Sequence, residues 1–144
     1  MSTPNAATAT DARPAGKGWS IGFWTAQVLL ATAFGMAGTM KTFTPIEELA
    51  QKLPWVTSLP NLVRFIGVSE LAGALGLILP AATRVKPVLT PVAALGLVVV
   101  MVLAAGFHIL RGEVQAVPIN AVLGGLAAFV AWGRLRKAPI AERQ

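Results

Sequence analysis

The sequence predicts an all-α protein, a four-transmembrane-helix bundle with a short amphipathic helix between spans 1 and 2. Three observations carry this reading. Only 12% of the 144 residues are charged, about half the share of an ordinary soluble domain. Hydrophobic residues make up 55%, and they gather into four runs of the ~20 residues that cross ~30 Å of hydrocarbon. Basic residues fall in the gaps between those runs. A globular interior can absorb one such apolar run but not four.

Residues 1–18, rich in Ala, Thr, Pro and Ser, show no apolar period and read as a disordered N-terminal arm. The four-helix domain then covers 19–134, with spans at about 19–40, 60–82, 87–110 and 115–134, and a basic tail at 135–144 closes the chain. The first span carries no charged side chain from Gly18 to Met40. Ala31-Thr32-Ala33 resembles a signal-peptidase site, but the apolar run continues too far beyond it for a signal peptide, so the segment reads as a retained span. Between spans 1 and 2, Thr44-Pro45-Ile46-Glu47 offers an N-cap, a proline at the first helical position and a capping-box glutamate. Ile46, Leu49, Ala50 and Leu53 then share one face. A short helix lying in the membrane interface is expected, stopped by Pro54, anchored by Trp55 and able to act as a lid. Trp19 and Trp132 read as anchors of the opposite interface.

Small residues spaced by four let helices approach closely in lipid. Ala31, Gly35 and Thr39 make such a stripe in span 1, Ala72 and Gly76 in span 2, Ala121 and Gly125 in span 4, and Gly96, Val100, Ala104 and His108 in span 3. Orientation follows from the basic residues. With four spans, the side shared by both termini and the span 2–3 loop holds eight Lys and Arg, and the other side holds four, namely Lys41, Lys52, Arg64 and Arg111. The positive-inside rule then places both termini in the cytoplasm.

Composition also excludes functions. Twelve Lys and Arg against six Asp and Glu give an excess of +6, but the cations border the spans and form no nucleic-acid stripe. Without cysteine there is no disulfide, thiolate ligand or dithiol exchange. One histidine and no cysteine leave no signature for zinc, haem or an iron–sulfur cluster. No Gly-rich phosphate loop, flavin signature or nucleophilic triad is present either.

The polar residues inside the spans are few and fall at one depth. Lys41 ends span 1, Arg64 and Glu70 lie in the first half of span 2, His108 ends span 3, and Asn120 begins span 4. All occupy the half of the bundle away from the termini. Ionisable groups in spans are costly and normally face the bundle interior with a partner. Lys41, Glu70 and His108 are therefore expected to converge into one hydrogen-bonded cluster, with Glu70 the deepest. His108 brings a side chain that exchanges protons near neutral pH. Arg64, Asn120 and Ser69 are the candidate ligand contacts around it. The structural alternatives are an ion pair pinning the bundle at Glu70, snorkelling of Lys41 and Arg64 to the headgroups, and helix-packing roles for Asn120 and for Gln27 in span 1.

These residues also carry a resemblance. Ala37-Gly38-Thr39-Met40-Lys41 closes span 1. Ile66-Gly67-Val68-Ser69-Glu70-Leu71, Gly73 and Leu77-Ile78-Leu79-Pro80 fill span 2, with Pro80 as its stop. Ala104, Phe107-His108 and Gly112-Glu113 follow at the end of span 3. In order and spacing the set resembles the DoxX-like family over roughly residues 20 to 133. That resemblance implies a four-helix protein of the bacterial inner membrane. Some members are named oxidoreductases, the namesakes are linked with quinone-coupled thiosulfate oxidation, and others with oxidative-stress complexes. Lys41, Glu70 and His108 match the family's polar pattern.

Two functional readings follow. In one, the chain is an oxidoreductase-associated subunit that binds a small lipophilic, quinone-like molecule in the polar pocket, with Glu70, His108 and Lys41 as its catalytic residues and Glu70 and His108 handling protons. A redox partner protein or further copies of the chain would then complete the assembly. In the other, it is a non-enzymatic binding or scaffold protein whose polar cluster is structural. A proton-coupled transporter fits less well, because no span is broken in its centre.

Overall fold

The computed structural model describes residues 16–143; the N-terminal arm falls almost wholly outside them. Four helices are long and apolar enough to cross a membrane. α1 spans Lys17–Phe43, α3 Pro60–Thr83, α4 Leu89–Leu110 and α5 Val117–Trp132. A 3-10 turn at Val114–Ala116 leads into α5, and a wider π-helical turn at Gly133–Lys137 extends it. The short helix α2, Ile46–Ala50, and a 3-10 turn at Pro54–Thr57 bridge α1 and α3. The four long helices alternate in direction, α1 packing on α3, α3 on α4, α4 on α5, and α5 back on α1.

The helices begin and end where local chemistry requires it. Pro60 opens α3 and Pro118 lies in the first turn of α5, positions where the missing amide hydrogen costs nothing. Pro91 occupies the first turn of α4 for the same reason. Pro80, expected as the stop of span 2, instead lies inside α3, which continues to Thr83 and ends on Arg84 in the left-handed conformation (φ 60°). α4 closes with a Schellman motif. Glu113 N–H donates to the His108 carbonyl at 2.8 Å and Gly112 N–H to the Ile109 carbonyl at 3.0 Å, with Gly112 at φ 74°.

Apolar side chains divide between two solvents. Phe23, Leu30, Phe34, Leu77, Leu97 and Val130 are buried between the helices. Leu110, at 90% exposure, and Phe43, at 73%, point outward with Met36, Phe65 and most of the aliphatic side chains of α4. In water so much exposed apolar surface would drive association; facing lipid it is the solvated surface of an integral membrane protein.

The link between α1 and α3 differs from the expected interfacial segment. α2 starts after Pro45, and no side-chain cap forms, so the Thr44–Glu47 capping box is not made. Thr44 is engaged elsewhere, its N–H closing α1 on the Met40 carbonyl. Trp55 is not an interface anchor. It is buried with Leu49, Val56 and Val63 in a second core at the loop end of the bundle, its ring meeting Phe107 edge-on at 5.0 Å. The amphipathic face thus packs against the bundle itself and roofs it.

The small-residue stripes hold in α1 and α3, where Gly35 meets Ala74 and Gly76 meets Ala93, but not in α4 and α5. Gly96 and Gly125 meet no neighbour, and Gly124 instead faces Met101. Backbone meets backbone where α1 crosses α3. A Cβ on Gly38 would stand 2.8 Å from the Gly67 carbonyl oxygen, so only glycine permits this crossing.

Candidate functional site

That crossing brings the last turn of α1 onto the middle of α3. Glu70 lies ten residues into α3, roughly 15 Å along the axis at ~1.5 Å per residue. Its side chain is 2% exposed. A lone carboxylate at that depth would be expensive, and it is not alone. Lys41 Nζ stands 2.6 Å from Oε1 and 2.8 Å from Oε2. Neither residue snorkels, because the ammonium reaches inward to the carboxylate. Arg64 is likewise held in the protein, its Nη1 donating at 2.7 Å to the Lys41 carbonyl. That carbonyl lies in the final turn of α1, where no backbone amide follows to satisfy it.

His108 does not join this pair. Its Nδ1 is 2.7 Å from Oε2 of Glu113, whose other oxygen accepts from Arg111 Nε at 2.9 Å. The Schellman turn is the physical reason. By folding Glu113 back over the end of α4, it offers His108 a carboxylate closer than Glu70. Two hydrogen bonds from His108 and Arg111 hold the Glu113 carboxyl below its ordinary value of 4.5. The expected single cluster is therefore two ion-paired groups.

Lys41 and Glu70 from one group and His108 from the other line one cavity. Its volume is about 340 Å³, and its walls include Lys41, Trp55, Glu70, Phe107, His108 and Asn120. Ser69 also faces it, with its hydroxyl donating to the Phe65 carbonyl at 2.8 Å. Arg64 is not part of the lining. The rest of the wall is aliphatic and aromatic, contributed by α1, α3, α4 and α5 with Trp55 above. Size and lining suit a small lipophilic guest.

Two lining residues hold buried nitrogen donors with no partner among the described residues. These are Nε1 of Trp55 and Nδ2 of Asn120. Asn120 is 8% exposed and bonds to no other helix among the described residues, which its reading as packing glue would require. Buried donors are normally satisfied, and here two residues of the cavity wall hold N–H groups without acceptors among the described residues. Among the described residues, no group of His, Asp and Glu is placed to hold a metal ion.

The other end of the bundle holds a polar site that the sequence reading did not identify. Arg134, at first sight one of the tail's cations, is 5% exposed. Its Nε donates to Oε1 of Gln27 at 2.5 Å, and Gln27 Nε2 donates to the Leu77 carbonyl at 2.6 Å. Gln27 is thus the relay between α5 and α3. The signal was a single amide in an apolar half-span, which demands a partner at its own depth.

Neither a curated protein nor a solved structure matches the chain. The sequence profile of the DoxX-like family matches residues 25–130, a stretch running from the first turns of α1 to the end of α5 and containing the whole loop-end cavity. With most of its length matched and four membrane-spanning helices, the chain belongs to the DoxX-like family of integral membrane proteins.

Proposed function

We propose that the loop-end cavity binds a small lipophilic molecule bearing a hydrogen-bond acceptor, quinone-like in character, as part of an oxidoreductase-associated subunit. The observation that carries the binding reading is the pair of unpartnered N–H groups on Trp55 and Asn120. A carbonyl oxygen supplies the acceptor that they lack, and the apolar walls take the rest of such a molecule. The charges of the site already compensate each other in pairs, which favours a neutral guest over an ion. The redox association is what the family resemblance implies. Reduction of a quinone to a quinol takes two electrons, supplied by a redox partner, and two protons. His108 is the residue suited to pass protons. With Nδ1 held against Glu113, its Nε2 is left to accept or release one, and the half-buried Glu113 leads from the cavity towards the surface. Glu70 and Lys41 form the polar wall opposite.

The test is titration of purified protein with a short-chain quinone, with binding read by tryptophan quenching. Trp55→Phe keeps the ring and removes Nε1–H; Asn120→Leu removes the amide. Each should weaken binding about tenfold, the worth of one hydrogen bond to a buried donor, while thermal stability changes little. Unchanged affinity in both variants would remove the basis for the reading.

The bidentate Lys41–Glu70 contact favours a second reading, in which this part of the polar cluster is structural and the chain acts as a scaffold. Both readings place the termini in the cytoplasm and the cavity towards the outside, following the basic residues. Single cysteines at Gln51 and Arg136 should label from opposite sides with an impermeant thiol reagent, since the chain has no cysteine of its own. Labelling of Arg136→Cys from outside would reverse the orientation.

A further inference from the structure

We propose that the termini end of the bundle contains a binding site for a phosphate group, presented by an anionic phospholipid or free in solution. The site is a second cavity of about 370 Å³ lined by Lys86, Pro91, Arg134, Pro139, Ile140 and Glu142, among others. It lies between the start of α4 and the π-helical turn after α5.

Arg134 is the centre of the site. Its guanidinium is buried, yet no carboxylate among the described residues pairs with it; the acidic side chains that form ion pairs are Glu70 and Glu113. Its partners are neutral: Gln27 Oε1 and, at 3.4 Å, the Ala138 carbonyl. The rings of Phe23 and Trp24 cover it at 5.7 and 5.4 Å. Nη2 has no acceptor among the described residues. A buried cation ordinarily has a counter-ion, and this one has none among the described residues while lining a cavity.

The chain holds Arg134 there by specific means. A Cβ on Gly133 would collide with the Phe23 ring, so glycine lets α5 close on α1 at this level. The helix then widens, Ala138 N–H reaching back to the Gly133 carbonyl at 2.8 Å. Such π turns often mark functional sites.

The surroundings select the ligand. Lys86 lines the same cavity with its side chain exposed at the mouth. The first turn of α4 carries no acidic residue, so its helix dipole adds positive potential. Among the described residues this end holds seven Lys and Arg and one acid, Glu142. Glu142 also lines the cavity and opposes an anion, leaving two cations against one carboxylate there. The planar fork of arginine matches phosphate oxygens. Exposed Val88 and Leu135 at the rim offer an apolar path for acyl chains, which points to a lipid as the source.

The full-length protein in dodecylmaltoside would be titrated with dioleoylphosphatidylglycerol, with dioleoylphosphatidylcholine and with sodium phosphate. Thermal midpoint and lipid retained in native mass spectrometry are the readouts. The anionic lipid should raise the midpoint saturably where the zwitterionic one does not. Lys86→Gln, on the exposed rim, should weaken that effect about tenfold, the scale of one charge-assisted hydrogen bond. Arg134→Lys keeps the charge but loses the fork, and should weaken it similarly. Arg136→Gln removes an exposed charge at the same end outside the lining, and should change affinity by less than about twofold if surface charge alone contributes little. Reproduction of the full shift by sodium phosphate assigns the site to free phosphate. Equal losses in Lys86→Gln and Arg136→Gln, or no preference for phosphatidylglycerol together with no response to phosphate, would overturn the site.

Discussion

The two ends of this bundle solve the problem of buried charge differently. At the loop end the fully buried ion, Glu70, has a counter-ion in Lys41, and nearer the surface His108 and Arg111 meet Glu113, while the part-buried Arg64 rests on the Lys41 carbonyl. What remains unpartnered there among the described residues is neutral, the N–H groups of Trp55 and Asn120 and the Thr42 hydroxyl. At the termini end the buried ion is Arg134, and its protein partners are a side-chain amide and a backbone carbonyl. The first arrangement suits a neutral acceptor; the second suits an anion. Burial alone does not identify a ligand site, because Glu70 is the more buried of the two residues and is the more completely satisfied.

The largest effect should come from breaking the self-neutralised end. Glu70→Gln leaves Lys41 facing a neutral amide, and loss of one member of a buried pair costs roughly 3–5 kcal/mol. Because the Lys41 side chain is 17% exposed, the lower figure is expected in detergent denaturation. The double variant Lys41→Met/Glu70→Leu should recover most of the loss, since apolar replacement of both partners removes the stranded charge. A Glu70→Gln protein with unchanged stability but no quinone binding would show instead that the carboxylate serves the guest.

A smaller effect is expected at the termini end. Gln27→Leu removes the acceptor of Arg134 Nε and the donor to the Leu77 carbonyl. Leaving buried polar groups unsatisfied costs about 1–3 kcal/mol. Thermal unfolding in phosphatidylcholine micelles would measure it, and addition of anionic lipid should restore part of the loss. An unchanged midpoint in Gln27→Leu would mean that the relay contributes nothing to stability.

How much of this was legible in the sequence depends on the range of each interaction. The spans were legible because a charge-free run of membrane length has few alternatives. The depth of Lys41, Glu70, His108 and Asn120 was legible too, since helical rise converts residue number into height. Lateral partners were harder. His108 lay in the same half of the bundle as Glu70, nearer its end, but height does not say which face of α4 it occupies, and a Gly-Glu pair just past the helix was the overlooked cue. Trp55 shows a different limit, because a tryptophan beside an apolar run has the same pattern whether it anchors an interface or fills a roof. Arg134 was hidden among tail cations, and only Gln27, 107 residues away, hints at its depth.

The smallest expected effect tests the outermost ion pairs, and its sign follows from the Glu113 carboxyl. Hydrogen bonds from His108 and Arg111 favour its charged form and hold it below 4.5. A carboxyl lowered on folding contributes stability above 4.5, and that contribution disappears as the pH falls through the lowered folded value. The three side chains are partly exposed, so solvent and salt screen the interaction and the bundle should remain folded across this window. The change should be local, at the last turn of α4 and the adjacent cavity wall. Carbon-13 labelling of the glutamate carboxyls in micelles would report the Glu113 midpoint directly. In the intact protein it should lie below 4.5, and His108→Phe, which removes the first of the two donors, should move it upward. Arg111→Gln should move it upward by less, being the second donor. If His108→Phe leaves the midpoint where it was, the imidazole does not engage Glu113 in the folded protein. His108 would then be free to face Glu70 across the cavity, and the separation of the loop-end charges into two pairs would have to be redrawn.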